Sequence, residues 1–252
     1  MKEKIIEFIY PESSKDLFKD NFPIPAKLNI PDWFKELKHT VEYKTIKGCI
    51  PFLDSLTAGY ILKLDQDFYI RHNFKNEKLN EQDTEFRVSW HTIERTLLDI
   101  KGINVNAGDP QIHPVDQLGK DCPFNKKNKN LPFYKILNPY IIKTPPGYSC
   151  LFVPILNNND DRFQVLSGIV DTDVFKTPIN FPIIINGDRY PTLETTIKRG
   201  TPYVQVIPFK RDEWKIKFSE GKRKTFFSSM LKVSRLLWNN YKNTFWNKKK
   251  WN

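Results

Sequence analysis

Short apolar runs separated by turn residues dominate this chain, and long stretches of helical period are few. "CIPFLDSL" and "GYILKLDQDFYI", between Cys49 and Ile70, read as strand pieces with turn residues at Gly59 and at Asp65 to Asp67. Further on, "YIIKTPPGYSCLFVPIL" gives a strand, a Pro-Pro-Gly turn and a second strand. "FQVLSGIVDTDVF", "FPIIIN", "TIKRG" and "PYVQVIPF" continue the pattern. Regular short strands of this kind predict a mainly β domain, a compact sandwich or barrel.

Helical period is confined to three places. In "IPDWFKELKHT" Asp32 is placed to cap a short helix with Trp33, Phe34 and Leu37 on one side. In "VSWHTIERTLLDIKGI" Ile93, Leu97 and Ile100 have helical spacing, so a short helix competes there with a strand. Beyond Trp214, Phe227, Met230, Leu231, Leu237, Trp238, Tyr241 and Phe245 predict an amphipathic helix. Four prolines before residue 32 favour extended connections, and residues 104–132 read as a long irregular excursion. The expected organisation is a Pro-rich extension over 1–47, a β core over 48–214 with an irregular insertion at about 72–132, and a basic aromatic helix and tail over 215–252.

Composition narrows the function classes. The 252 residues can bury a sizeable core. No apolar run reaches the roughly eighteen residues of a membrane span, and the start "MKEKIIEFIY" lacks the pattern of a signal peptide. Cys49, Cys122 and Cys150 are odd in number and widely spaced, which fits a reducing compartment rather than a disulfide framework. The net charge of +11 favours phosphate-rich partners. An Asn-, Lys- and Ile-rich composition can supply part of that charge by bias alone.

Four segments, taken in order, resemble a known family. "LTAGYILKLDQDFYI", "PPGYSCLFVP", "SGIVDTDVF" and "IKRGTPYVQVIPF" are similar to the successive motifs of trimeric dUTPases and the related dCTP deaminases. The resemblance covers about Leu56 to Phe209 and implies a dUTPase-like β-clip, a distorted barrel of short strands that assembles as a homotrimer. It implies that Asp171 stands where the family orients and deprotonates the attacking water, with the triphosphate held by cations and Mg. Tyr60, Arg162, Asp173 and Phe175 are the matching candidates for ligand contacts. The chain as a whole also resembles a family encoded by tailed phages, on "IPDWFKEL", "PFLDSLTAGYI", "NPYIIKTPPGYS" and "SGIVDTD". That resemblance implies the cytoplasm of an infected host cell, or the virion.

Departures from the motifs weigh against catalysis. Gly59 is followed by Tyr60 and Ile61 where the family has an Asp, and "VPILNNNDDRF" lacks the family's phosphate-binding Arg-Ser pair. Val174 stands in place of a ribose-stacking ring, with Phe175 adjacent, and the glycine-rich C-terminal arm is missing. Phosphoryl chemistry depends on such positioning groups. The expectation is a catalytically degenerate protein with a binding or assembly role. The first alternative is an active deoxynucleoside triphosphate hydrolase or deaminase using Asp171. On the residues alone, Asp-x-Asp after an apolar strand is equally a turn in which Asp side chains bond backbone amides.

Other chemistries leave fainter traces. His91, His113 and Cys122 lack the spacing of metal ligands, so no metal site is expected. No G-x-S-x-G and no Walker sequence occurs. In the C-terminal segment Lys222, Arg223, Lys224, Lys248, Lys249, Lys250 and Trp251 interleave cations with rings, as single-stranded nucleic-acid binders do. The same pattern suits a helix on an anionic membrane, or simply a helix packed on the core with a solvated polar face. Nucleic-acid binding through this helix is the second alternative function.

Overall fold

The computed structural model describes residues 4–12, 15–18, 20–73, 85–88, 112–113, 118–119, 121–128, 133–158, 160–234 and 241–252. The strands are β1 (Glu7–Ile9), β2 (Ile24–Pro25), β3 (Tyr60–Lys63), β4 (Phe68–Asn73), β5 (Glu85–Val88), β6 (Ile112–His113) and β7 (Phe133–Ile136). They continue with β8 (Ile141–Lys143), β9 (Tyr148–Val153), β10 (Phe163–Val165), β11 (Gly168–Val170), β12 (Phe181–Ile185), β13 (Thr192–Ile197) and β14 (Pro202–Lys210). The α-helices are α1 (Lys15–Phe18), α2 (Asp32–Glu36), α3 (Ile50–Thr57), α4 (Pro123–Lys127) and α5 (Arg223–Ser234). The protein is mainly β. The helical period at 93–100 and most of the expected insertion lie outside the described residues.

Packing divides the chain into two compact units. One unit comprises Met1–Ile24 and Tyr60–Lys210, the other Pro25–Gly59 and Arg211–Asn252. The start of the chain joins the first unit through its rings: Phe8, Tyr10 and Phe18 all lie within ring-contact range of Tyr140. These aromatics outweigh the local prolines, because burying a ring stabilises more than an extended connection costs.

In the first unit the central sheet has the order β11-β9-β14-β3-β2, flanked in hydrogen-bonding terms by separate sheets β10-β12-β7-β6, β13-β4-β5 and β1-β8. In β4 the alternation is plain: Phe68, Ile70 and His72 are buried while Arg71 and Asn73 are exposed. That is the period of two that puts one face on a core. In β12 and β14 burial is almost continuous, as in strands covered on both faces. Leu62, Ile142, Phe152, Val165, Ile183 and Val206 sit in the shared core. Tight turns precede β3 and β9, where Gly59 and Gly147 take φ of 68° and 82°, a region that penalises any side chain.

The second unit corrects one expectation. "CIPFLDSL" folds as helix α3, not as a strand. Pro51 sits in its first turn, where the missing N–H costs nothing. Ile50, Leu53 and Leu56 follow a spacing of three that a strand would scatter over both faces. In α2 Asp32 is the first helical residue rather than the cap, which is Pro31, and its carboxylate accepts from Lys35 at 2.8 Å. Phe34 is buried and stacks on Phe52 of α3 at 5.7 Å. The C-terminal end closes on the same helix: Trp246 Nε1 donates to both Asp54 oxygens, and Lys249 Nζ donates to Oδ2 at 2.6 Å.

Candidate functional site

The carboxylates of "VDTDVF" stand at one end of the central sheet, and the pairing register explains what they do. β11 runs antiparallel to β9 with Val170 opposite Cys150, so the next positions bring Asp171 to Ser149 and Asp173 to Gly147. Ser149 Oγ donates to Asp171 Oδ1 at 2.6 Å, and the Gly147 N–H donates to Asp173 Oδ2 at 2.8 Å. The Asp171 carbonyl accepts the amides of Val174 and Phe175, which closes the turn. Between the two acids Thr172 is buried, its hydroxyl 2.7 Å from that of Thr144 and donating to Cys150 Sγ at 3.3 Å. Burial pushes the Cys150 thiol up to about 11, which leaves it protonated and inert near neutral pH.

These bonds tie the Pro-Pro-Gly turn to the turn after β11. A hydrogen bond accepted by a carboxylate, from a serine hydroxyl at Asp171 and from an amide at Asp173, is charge-assisted and stronger than a neutral one. Asp171 itself is exposed. Sequence reasoning singled out the two acids but missed Thr144, Gly147, Ser149 and Thr172. Their tyrosine-containing turn is legible locally, whereas its partnership with residues 22 to 28 positions later is set by strand pairing.

Tyr60 and Arg162 make other contacts. Tyr60 is half-buried in β3, edge-on to Phe8 at 5.7 Å, and burial followed by the nearby Cys150 raises its hydroxyl's pKa. Arg162 grips Asp160 through Nε at 2.8 Å and Nη2 at 2.7 Å, and donates Nη1 to Thr195 at 2.7 Å. That bidentate hold lowers the Asp160 carboxyl and raises the guanidinium. Phe175 is 42% exposed, with Val174 and Ile169 of the same edge at 67% and 62%.

Next to Arg162, Asp160, Asp161, Phe163, Gln164 and Tyr203 line a cleft of about 190 Å³. Asp161 is committed to Arg189 and Tyr190 at 2.8 Å each. The motif's glutamine, Gln205, is buried in β14, and its Oε1 accepts the Leu156 amide at 3.1 Å, bracing the loop after β9.

The basic candidates divide. Lys222, Arg223 and Lys224 are exposed, with Arg223 lying 5.6 Å from the Phe227 ring centroid. Lys248 and Lys250 are exposed too, but Lys249 is ion-paired with Asp54 and Trp251 is half-buried. Among the described residues no group of three His, Cys, Asp or Glu could hold a metal, and no helix is long and apolar enough to cross a membrane. His91 lies outside the described residues. No family model matches the chain, and no curated protein matches it.

Proposed function

We propose that this is a dUTPase-like β-clip protein of tailed phages that has lost catalysis and serves a binding or assembly role as a homotrimer, in the host cytoplasm or the virion. One observation carries the reading. The four motif-like segments, spread over some 150 residues, fall on or beside β3, β9, β11 and β14, which are neighbours in one sheet. Loss of catalysis is supported by the engagement of Asp171 and Asp173 in the turn and by Arg162 being held on Asp160 and Thr195.

The trimer is supported by the open edge at β11, where Ile169, Val174 and Phe175 expose apolar surface. Exposed apolar edge strands invite pairing or cover by another chain. Mass in solution tests this part directly. A species of three chains is expected, and a monodisperse monomer would overturn the trimer. The hydrolase alternative has the exposure of Asp171 in its favour, and it is separated from the present reading by assay of nucleotide turnover.

A further inference from the structure

The segment that follows β14 carries an unusual combination of exposure, apolarity and charge. Trp214, Ile216 and Phe218 alternate with Lys215 and Lys217, and these three apolar side chains are 89%, 83% and 86% exposed. Helix α5 then presents Phe226 and Met230, and Phe227 and Leu231, as two pairs four residues apart. Such pairs form one stripe along a helix. All four are exposed, at 62%, 66%, 54% and 44%, so the stripe faces solvent. Lys222, Arg223 and Lys224 stand at its start. Exposed apolar side chains concentrated in one segment mark an interaction site.

Charge decides what covers it. Residues 211–252 hold 12 of the 40 Lys and Arg but only 3 of the 29 Asp and Glu, a net +9. The first 210 residues keep 28 against 26, a net +2. Nearly all of the chain's net positive charge therefore sits in this one segment, and the remaining 210 residues are close to neutral. The complement is an anionic surface. Nucleic acid would use the cations and stack on rings, but it leaves Ile216, Met230 and Leu231 without a role, because aliphatic side chains do not stack on bases. An anionic bilayer uses both halves: headgroups take the lysines and arginines while the aromatic and aliphatic stripe enters the acyl boundary.

We propose that the segment Trp214–Leu231 binds the surface of anionic phospholipid membranes peripherally, with its apolar stripe inserted. A second feature of the same unit has matching chemistry. A groove of about 640 Å³ is lined by apolar Phe34, Leu37, Ile50 and Leu53 with Lys38, Lys47 and Lys242, against one acid, Glu36, a net cationic lining around an apolar floor. The inference stands on this unit's residues and is independent of the dUTPase-like reading.

Cosedimentation of the full chain with vesicles tests it. Binding to phosphatidylcholine vesicles containing phosphatidylglycerol is expected to be at least ~10-fold tighter than to phosphatidylcholine alone, and Lys222→Glu, Arg223→Glu and Lys224→Glu together should weaken it roughly 100-fold. Two apolar variants should each lose about tenfold or more by removing inserted surface. One joins Trp214→Ser with Phe218→Ser; the other joins Phe226→Ser, Phe227→Ser, Met230→Ser and Leu231→Ser. All six side chains are exposed, and each variant should keep the circular dichroism spectrum of the native chain. Failure to bind the anionic vesicles would overturn the proposal. So would binding that both apolar variants retain, the behaviour of a plain polyanion contact, which single-stranded DNA run in parallel would identify.

Discussion

Replacing Phe152 with alanine should destabilise the first unit by about 3–5 kcal/mol. Phe152 is 2% exposed near the C-terminal end of β9, the strand that joins β11 to β14. Its ring lies 5.3 Å from that of Phe181, which in turn meets Tyr203 edge-on at 5.7 Å. Truncation removes the transfer energy of a whole ring and leaves a void that the paired strands on either side cannot collapse into. Against a typical total of about 5–15 kcal/mol, that is a large fraction. Urea denaturation should show a lower midpoint with the slope unchanged. Trp214→Ala provides the contrast: at 89% exposure it should change stability by less than about 0.5 kcal/mol. An equal loss at both positions would mean that the core has been assigned wrongly.

Stability should also fall as pH rises through the weakly acidic range, and Asp65 is the cause. It is buried in the turn between β3 and β4, with Oδ2 lacking a hydrogen-bond partner and the neighbouring Gln66 Oε1 lacking one as well. Burial pushes the carboxyl up from 3.8 to about 6, against smaller opposing effects from its own backbone amide and from Arg199. Tyr140 and Tyr203 face the same region, and their hydroxyls are pushed up chiefly by burial and then by the Asp65 charge.

The sign follows from proton counting. Between about pH 4 and pH 6 the folded state holds a proton that the unfolded state has released, so raising pH favours unfolding. A shift of this size corresponds to about 3 kcal/mol, present as stability at low pH and lost once pH passes the folded value. Asp65→Asn should remove this dependence, matching the native chain near pH 4 and exceeding it by up to about 3 kcal/mol at pH 8. Parallel stability curves for the two proteins across that range would show that Asp65 is not held as described.

The parts of the fold that were legible in the sequence are those set locally. β3, β4, β9 and β14 follow from alternation and from turns at Gly59 and Gly147, because side-chain period and left-handed φ leave their mark within a few residues. Helix α3 was not legible as a helix: its eight residues are short enough for apolar content to suggest either element. The role of Phe8, Tyr10 and Phe18 was hidden for another reason. Their partner Tyr140 is more than 120 residues away, and nothing local encodes such a contact. The site shows the same division. Asp171 and Asp173 stand out as an Asp-x-Asp after an apolar run, but their attachment to Ser149 and Gly147 appears only once the β9–β11 register is fixed. Amphipathic character in α5 was evident from spacing, whereas the exposure of its apolar stripe was not, since period alone does not say what covers a face.

Asp171 is proposed to hold a turn rather than to activate water, and nucleotide turnover tests this most directly. The full chain is incubated with dUTP and each deoxynucleoside triphosphate in the presence of Mg²⁺, following pyrophosphate and ammonia release, beside its Asp171→Ala and Asp171→Asn variants. The account predicts no release above buffer for any of the three. It predicts instead a stability loss of roughly 1.5–3 kcal/mol for Asp171→Ala, the worth of a hydrogen bond to a charged acceptor, because the buried Ser149 hydroxyl loses its 2.6 Å partner. Turnover by the native chain that Asp171→Asn abolishes while the fold is retained would contradict it.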